Sequence, residues 1–241
     1  MIHSINGFQL NNIAIQPANS SSCDDNYIGI IEYDGNSFVG YNGSNLFGLQ
    51  RNAKQSHNNS QKRVKIDYNS FSPTQNPRKI IILLESPHTE EFFPKFRNGV
   101  SSGPALGISG GVFDKHCIDV FNYNKNILRL ALHLTNQSEI FEMYFVNAIQ
   151  YQCSLGPPLK PTIRDFVFYA LWNQHPNSFK DDLIERLNII QPDLIINACT
   201  KELQNSCCNA NAITPGLHGF QYSFLAASSH IKAWNNSTII Q

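Results

Sequence analysis

The chain has 241 residues, 18 Lys+Arg against 18 Asp+Glu, a formal net charge of zero and only 15% charged residues. That balance excludes a polycationic arm holding nucleic acid by bulk charge, since such binding draws on counterions displaced by a basic excess; a local basic groove is not excluded. Hydrophobic residues make up 41%, with 16 Phe and 9 Tyr, which supports a packed core and excludes wholesale disorder.

No apolar run reaches the roughly 18 residues that a membrane helix needs, and Met1–Gly7 has neither the basic nor the apolar region of a secretory leader. The six cysteines contain no C-x-x-C pair, and only Cys207 and Cys208 adjoin. This pattern predicts reduced thiols in a cytoplasmic protein, partly buried as small hydrophobes, rather than a disulfide framework or a zinc site.

In chain order, Tyr27–Tyr33 and Ser37–Tyr41 read as a hairpin around Asp34-Gly35-Asn36. Residues 51–77 open on a polar, aperiodic run and read as a linker or long loop. The branched aliphatics of Lys79–Glu85 predict a central parallel strand covered on both faces. Val112–Leu134 reads as a helix in two pieces broken near Tyr123-Asn124, and Met143–Ile149 as a second buried strand. Thr162–Trp172 and Ser178–Ile190 read as helices. In the second of these, Ser178 and Asp181 form the start, and Phe179, Leu183, Leu187 and Ile190 make one apolar stripe. Asp193–Ala198, Thr200–Cys208 and Tyr222–Ala227 follow as strand, short helix and strand. The alternation predicts a three-layer α/β/α sandwich with a mostly parallel four-stranded sheet over residues 78–241, preceded by a β-rich N-terminal extension over residues 1–50.

Ligands of open α/β sheets bind beyond the carboxyl ends of the strands. Glu85 follows the first strand, Asn147 closes the second, and Ser228-Ser229-His230 follows the last. A carboxylate, a carboxamide and an imidazole are thereby expected on one rim, near the Gly103–Gly107 loop.

The order of these motifs resembles the uracil-DNA glycosylase superfamily, closest to its thermostable family 4 type. Leu84-Glu85-Ser86-Pro87-His88 is similar to that family's Gly-Glu-Ala-Pro-Gly, and Ser102-Gly103-Pro104-Ala105-Leu106 to its Val-Gly-Pro-Ala-Gly. Phe145-Val146-Asn147, followed by Pro157-Pro158, resembles its Thr-Asn motif. Gln191-Pro192-Asp193-Leu194-Ile195-Ile196 resembles its Lys-Pro-Lys-Val-Ile-Val, and Ser228-Ser229-His230 its final His-Pro-Ser loop, without the Pro. The first motif lacks both glycines. No base-stacking Phe precedes Gly103; Phe92, Phe93, Phe96 and Phe113 are the substitutes available. Only Cys153 falls near a ligand position of the family's iron–sulfur cluster, so no cofactor is expected.

The resemblance implies a monomeric DNA-base glycosylase acting on uracil or another altered base flipped out of single-stranded or lesion-containing DNA. Such cleavage passes through an oxocarbenium-like state, positive on the sugar and negative on the departing base. Glu85 is then the carboxylate that positions water, with Glu90 and Glu91 as understudies, His230 the donor that stabilises the base anion, and His88 a secondary acid/base. Asn147 reads the base edge, because one carboxamide presents a donor and an acceptor together. Gly103, Ala105, Ser229 and Lys232 are expected at DNA phosphates.

Two other readings stand beside this one. The fold is equally able to serve as a nucleic-acid or nucleotide binding module without catalysis. Gly107-Ile108-Ser109-Gly110-Gly111 also matches the serine-hydrolase elbow G-x-S-x-G, but the segment before it lacks the strand that an elbow requires.

Overall fold

The computed structural model describes residues 8–10, 13–15, 22–43, 64–66, 68, 77–87, 91–93, 100–101, 104–105, 108–153, 161–173 and 178–241. Its strands are β1 (Phe8–Leu10), β2 (Ile13–Ile15), β3 (Asn26–Tyr33), β4 (Phe38–Gly43), β5 (Val64–Lys65), β6 (Arg78–Leu84), β7 (Phe92–Phe93), β8 (Val100–Ser101), β9 (Glu139–Asn147), β10 (Leu194–Asn197) and β11 (Ser223–Ala226). The helices are α1 (Ile108–Tyr123), α2 (Lys125–Ala131), α3 (Pro161–Trp172), α4 (Phe179–Ile190), α5 (Lys201–Ser206) and α6 (Ala210–Ile213).

Four strands run parallel in the order β11-β10-β6-β9, as the alternation of elements predicts. The sheet does not stop there. β3 pairs antiparallel with β9, β4 with β3, and the short β5 also with β3, giving seven strands. The four-stranded sheet with a separate N-terminal extension is corrected accordingly: the hairpin is the antiparallel flank of the central sheet. Part of the expected linker also belongs to it, since β5 pairs with Asn26 and Tyr27. The physical reason is that β9 offers a second hydrogen-bonding edge, and an unpaired edge on a buried strand would leave a row of backbone groups unsatisfied.

β6 explains the layering. Ile80, Ile82 and Leu84 face a core shared with Phe113, Cys117, Val120 and Phe121 of α1, while Ile81 and Leu83 face a core shared with Phe168 of α3 and Leu183 and Leu187 of α4. Alternate residues of one strand are thus buried under helices on opposite faces, each aliphatic side chain contributing roughly 1.5–3 kcal/mol. α4 begins as the sequence indicates, with Ser178 Oγ accepting from the Asp181 N–H at 3.1 Å. It ends on Gln191, a non-glycine residue in the left-handed region at φ 52°.

At the amino end of the parallel strands, Arg78 donates to Asp193 and Glu139, each at 2.9 Å, and to the Leu132 carbonyl at 2.8 Å. One side chain thereby ties β6 to the segments that open β9 and β10. No helix among the described residues is long and apolar enough to cross a membrane.

Candidate functional site

β6 ends one residue before Glu85 and β9 ends on Asn147, and the parallel register places Leu84 opposite Asn147. The ladder continues past both strands: Ala148 N–H donates to Leu84 O at 2.7 Å and Ile149 N–H to Glu85 O at 2.9 Å. Glu85 and Asn147 are therefore neighbours on the carboxyl rim of the sheet. Their side chains have different fates.

Glu85 is 7% exposed, and its Oε2 accepts from the Thr200 N–H at 2.9 Å, ahead of α5. The carboxylate leans toward the β10 end of the rim. On β9, Phe141, Met143 and Phe145 belong to the core beneath α1, whereas Tyr144, Val146 and Ala148 belong to the opposite core. Alternation puts the Asn147 side chain on the α1 face. There it is 1% exposed, and among the described residues neither Oδ1 nor Nδ2 has a hydrogen-bond partner. A buried polar group without a partner costs about 1–3 kcal/mol, so an orphaned carboxamide marks either a functional demand or a place for a water.

The main chain of Asn147, by contrast, is gripped from both sides. Its N–H donates to Asp25 Oδ1 at 3.0 Å and its carbonyl accepts from Arg186 Nη2 at 3.1 Å. Asp25 is fully buried and Arg186 is 5% exposed, and the two form an ion pair through Oδ2 and Nη1. Tyr68 Oη donates to Asp25 Oδ2 at 2.6 Å, and Arg186 Nε donates to Asp182 at 2.9 Å. Burial pushes the Asp25 carboxyl above the usual carboxylate range, opposed by the Arg186 charge and by the Tyr68 and Asn147 donors. Burial also opposes the Arg186 charge, but Asp25 and Asp182 outweigh it and hold the guanidinium above its ordinary value.

Neither Asp25 nor Arg186 is among the candidates read from the sequence. Arg186 carries a usable signal, because it sits three residues after Leu183 and four before Ile190, inside the apolar stripe of α4. A charge in a core-facing stripe needs a buried partner. Asp25 carries no comparable mark.

His230 is half-buried beyond β11, where its Nδ1 accepts from the Lys232 N–H at 3.2 Å and caps the turn Ile231–Ala233. It shares the carboxyl rim with Glu85 and Asn147, but β10 and β6 lie between β11 and β9. The Ser229 carbonyl accepts from Trp234 Nε1 at 3.1 Å, and Lys232 is exposed.

Ala105 is 1% exposed with φ 51°, and its N–H donates to Glu91 Oε1 at 2.7 Å. That N–H, expected at a DNA phosphate, is directed at a carboxylate of the same chain. Phe113 is fully buried and stacks edge-on against Phe145 at 4.9 Å, which makes it a core ring of the layer carrying Asn147. Ser109 lies within α1, and the nearest preceding strand among the described residues, β8, pairs with β7, outside the central sheet. A nucleophile elbow needs a strand of that sheet directly before the serine, and the described residues contain none there. His88, Glu90, Phe96 and Gly103 lie outside the described residues, as do the side chains of Phe92 and Phe93. Comparison with protein-family models, with curated proteins and with solved structures finds no match to this chain.

Proposed function

We propose that the chain recognises a nucleobase swung out of DNA and hydrolyses its N-glycosidic bond, as the resemblance to the uracil-DNA glycosylase superfamily implies. The observation that carries this reading is the Asn147 carboxamide, 1% exposed and without a partner among the described residues on either polar atom, on a main chain held by a buried ion pair. A group fixed in place yet left unsatisfied is what base reading asks for, because a ligand edge with one donor and one acceptor restores both hydrogen bonds. In this reading Glu85 orients the attacking water and favours the cationic sugar, and His230 donates to the departing base anion, with His88 as an auxiliary acid/base. Gly103, Ser229 and Lys232 contact the phosphates around the flipped nucleotide.

A second reading, base binding without cleavage, is favoured by one feature. Glu85 Oε2 accepts from the Thr200 N–H and the residue is only 7% exposed, so little of the carboxylate is open to a water. A panel of oligonucleotides, each with one altered base, separates the two readings. Alkali-labile scission that disappears in Glu85→Gln and Asn147→Ala supports catalysis. Retarded migration with no scission supports binding alone. Scission unchanged in both variants removes these residues from the site.

A further inference from the structure

A second buried carboxamide lies beside the first. Asn26 opens β3, is 1% exposed, and sits opposite Phe145 in the antiparallel pairing with β9. Residues directly paired across strands share a face, so the Asn26 side chain shares the α1 face with Phe145 and Asn147. Asn26 and Asn147 are diagonal neighbours, with Cα atoms about 7–8 Å apart, a gap that one planar ring system bridges. Asn26 Nδ2 donates to the Asp24 carbonyl, while its Oδ1 has no partner among the described residues. The amide orientation is fixed by that bond, since the reverse would set two oxygens against each other. Two adjacent strands thus present three unsatisfied polar atoms to one face: a donor and an acceptor from Asn147, and a further acceptor from Asn26.

Among lactam bases, the class to which uracil belongs, satisfying all three takes an N–H beside a C=O together with a second N–H. Uracil attached through N1 has only one N–H on its free edge, and hypoxanthine attached through N9 also has one. Guanine adds the exocyclic N2 amine, and xanthine in its neutral form adds N3–H. We infer that the site takes a purine of the guanine or xanthine kind, with N1–H and O6 on Asn147 and the second N–H on Asn26 Oδ1. This rests on the base-reading role of Asn147 and goes beyond it, making Asn26, supplied by the N-terminal hairpin, the residue that discriminates among bases. A buried acceptor left without its donor is the strongest form of such discrimination.

The test uses the full chain and single-stranded oligothymidylates with one central deoxyguanosine, deoxyxanthosine, deoxyinosine or deoxyuridine, in competition binding by fluorescence anisotropy. In buffer acidic enough to keep the xanthine N3 protonated, the wild type is expected to hold the guanine and xanthine oligonucleotides roughly tenfold or more tighter than the inosine one. Asn26→Leu is expected to bring that ratio close to one. Asn26→Ala serves in place of the leucine variant if thermal melting shows the latter unfolded. A wild-type preference for inosine or uridine, or a guanine preference indifferent to Asn26→Leu, overturns the inference and leaves base reading by Asn147 standing. If no altered base binds above plain oligothymidylate, and Asn147→Leu changes nothing, the underlying function fails as well.

Discussion

The backbone N–H of Asn147 donates to Asp25 Oδ1 at 3.0 Å across 122 residues of sequence, joining the rim of the parallel strands to the segment that enters β3. The partner of Asp25, Arg186, closes the grip by donating to the Asn147 carbonyl. Removing one member of a buried pair strands the other charge, a loss of about 3–5 kcal/mol. Arg186→Met is therefore expected to lower the stability measured by urea denaturation by that order, and Asp25→Asn with Arg186→Met to cost less than the single change. A single variant within about 0.5 kcal/mol of wild type contradicts the buried-pair assignment.

Asn147→Leu separates function from stability. The leucine removes two unsatisfied polar atoms at similar volume, so thermal unfolding is expected to show no loss, or a gain of about 1 kcal/mol. Base binding should disappear in the same variant. A large destabilisation would mean that the carboxamide has partners in solution, most simply an ordered water.

The hairpin turn carries a pH signature. The Asp34 carboxyl is held below the usual carboxylate range by the Ser37 and Asn36 backbone N–H groups, which donate to its Oδ1 at 2.8 Å each. A depressed carboxyl stabilises the fold above its unfolded pKa, about 3.9, and that contribution fades as pH falls through the lower folded value. The melting-temperature gap between wild type and Asp34→Ala is expected to be constant from pH 7 to about 5 and to narrow below about 4. A gap that widens in acid has the wrong sign for this turn.

Six free thiols are buried, yet they differ in character. A hydrogen bond from Cys208 lowers the Cys207 thiol against the effect of burial, whereas burial pushes Cys208 well above its ordinary value and Cys199 and Cys117 also upward. Native alkylation with iodoacetamide, read by peptide mass spectrometry, should mark Cys207 first, because the thiolate is the reacting form. Initial labelling at Cys208 contradicts this order.

Much of the architecture is legible in the amino-acid sequence because it rests on local periodicity. The aliphatic run of β6, the stripe and Ser178 cap of α4, and the break of the long helical segment at Asn124 each follow from residue spacing. The partner of the hairpin does not. The alternation of β3 states that one face is buried, but pairing with β9 joins residues more than a hundred positions apart, and no local pattern encodes it. The rim positions of Glu85, Asn147 and His230 follow from the strand order. What the spacing could not convey is that Ala105 has given its amide to Glu91, or that the Asn147 carboxamide has no partner among the described residues, since satisfaction is a property of neighbours brought by other segments.

The last described residues have a consequence for His230. Gln241 exchanges both backbone hydrogen bonds with Ala226, Ser228 N–H donates to the Ile239 carbonyl, and Asn124 holds the Ile240 N–H and the Thr238 carbonyl through its carboxamide. Those bonds fasten the outer margin of β11 to the hinge between α1 and α2. The imidazole beyond that margin inherits its position from a short peptide strap, so a substitution at Asn124, remote from any reacting atom, would reach the rim by loosening the strap rather than by touching it.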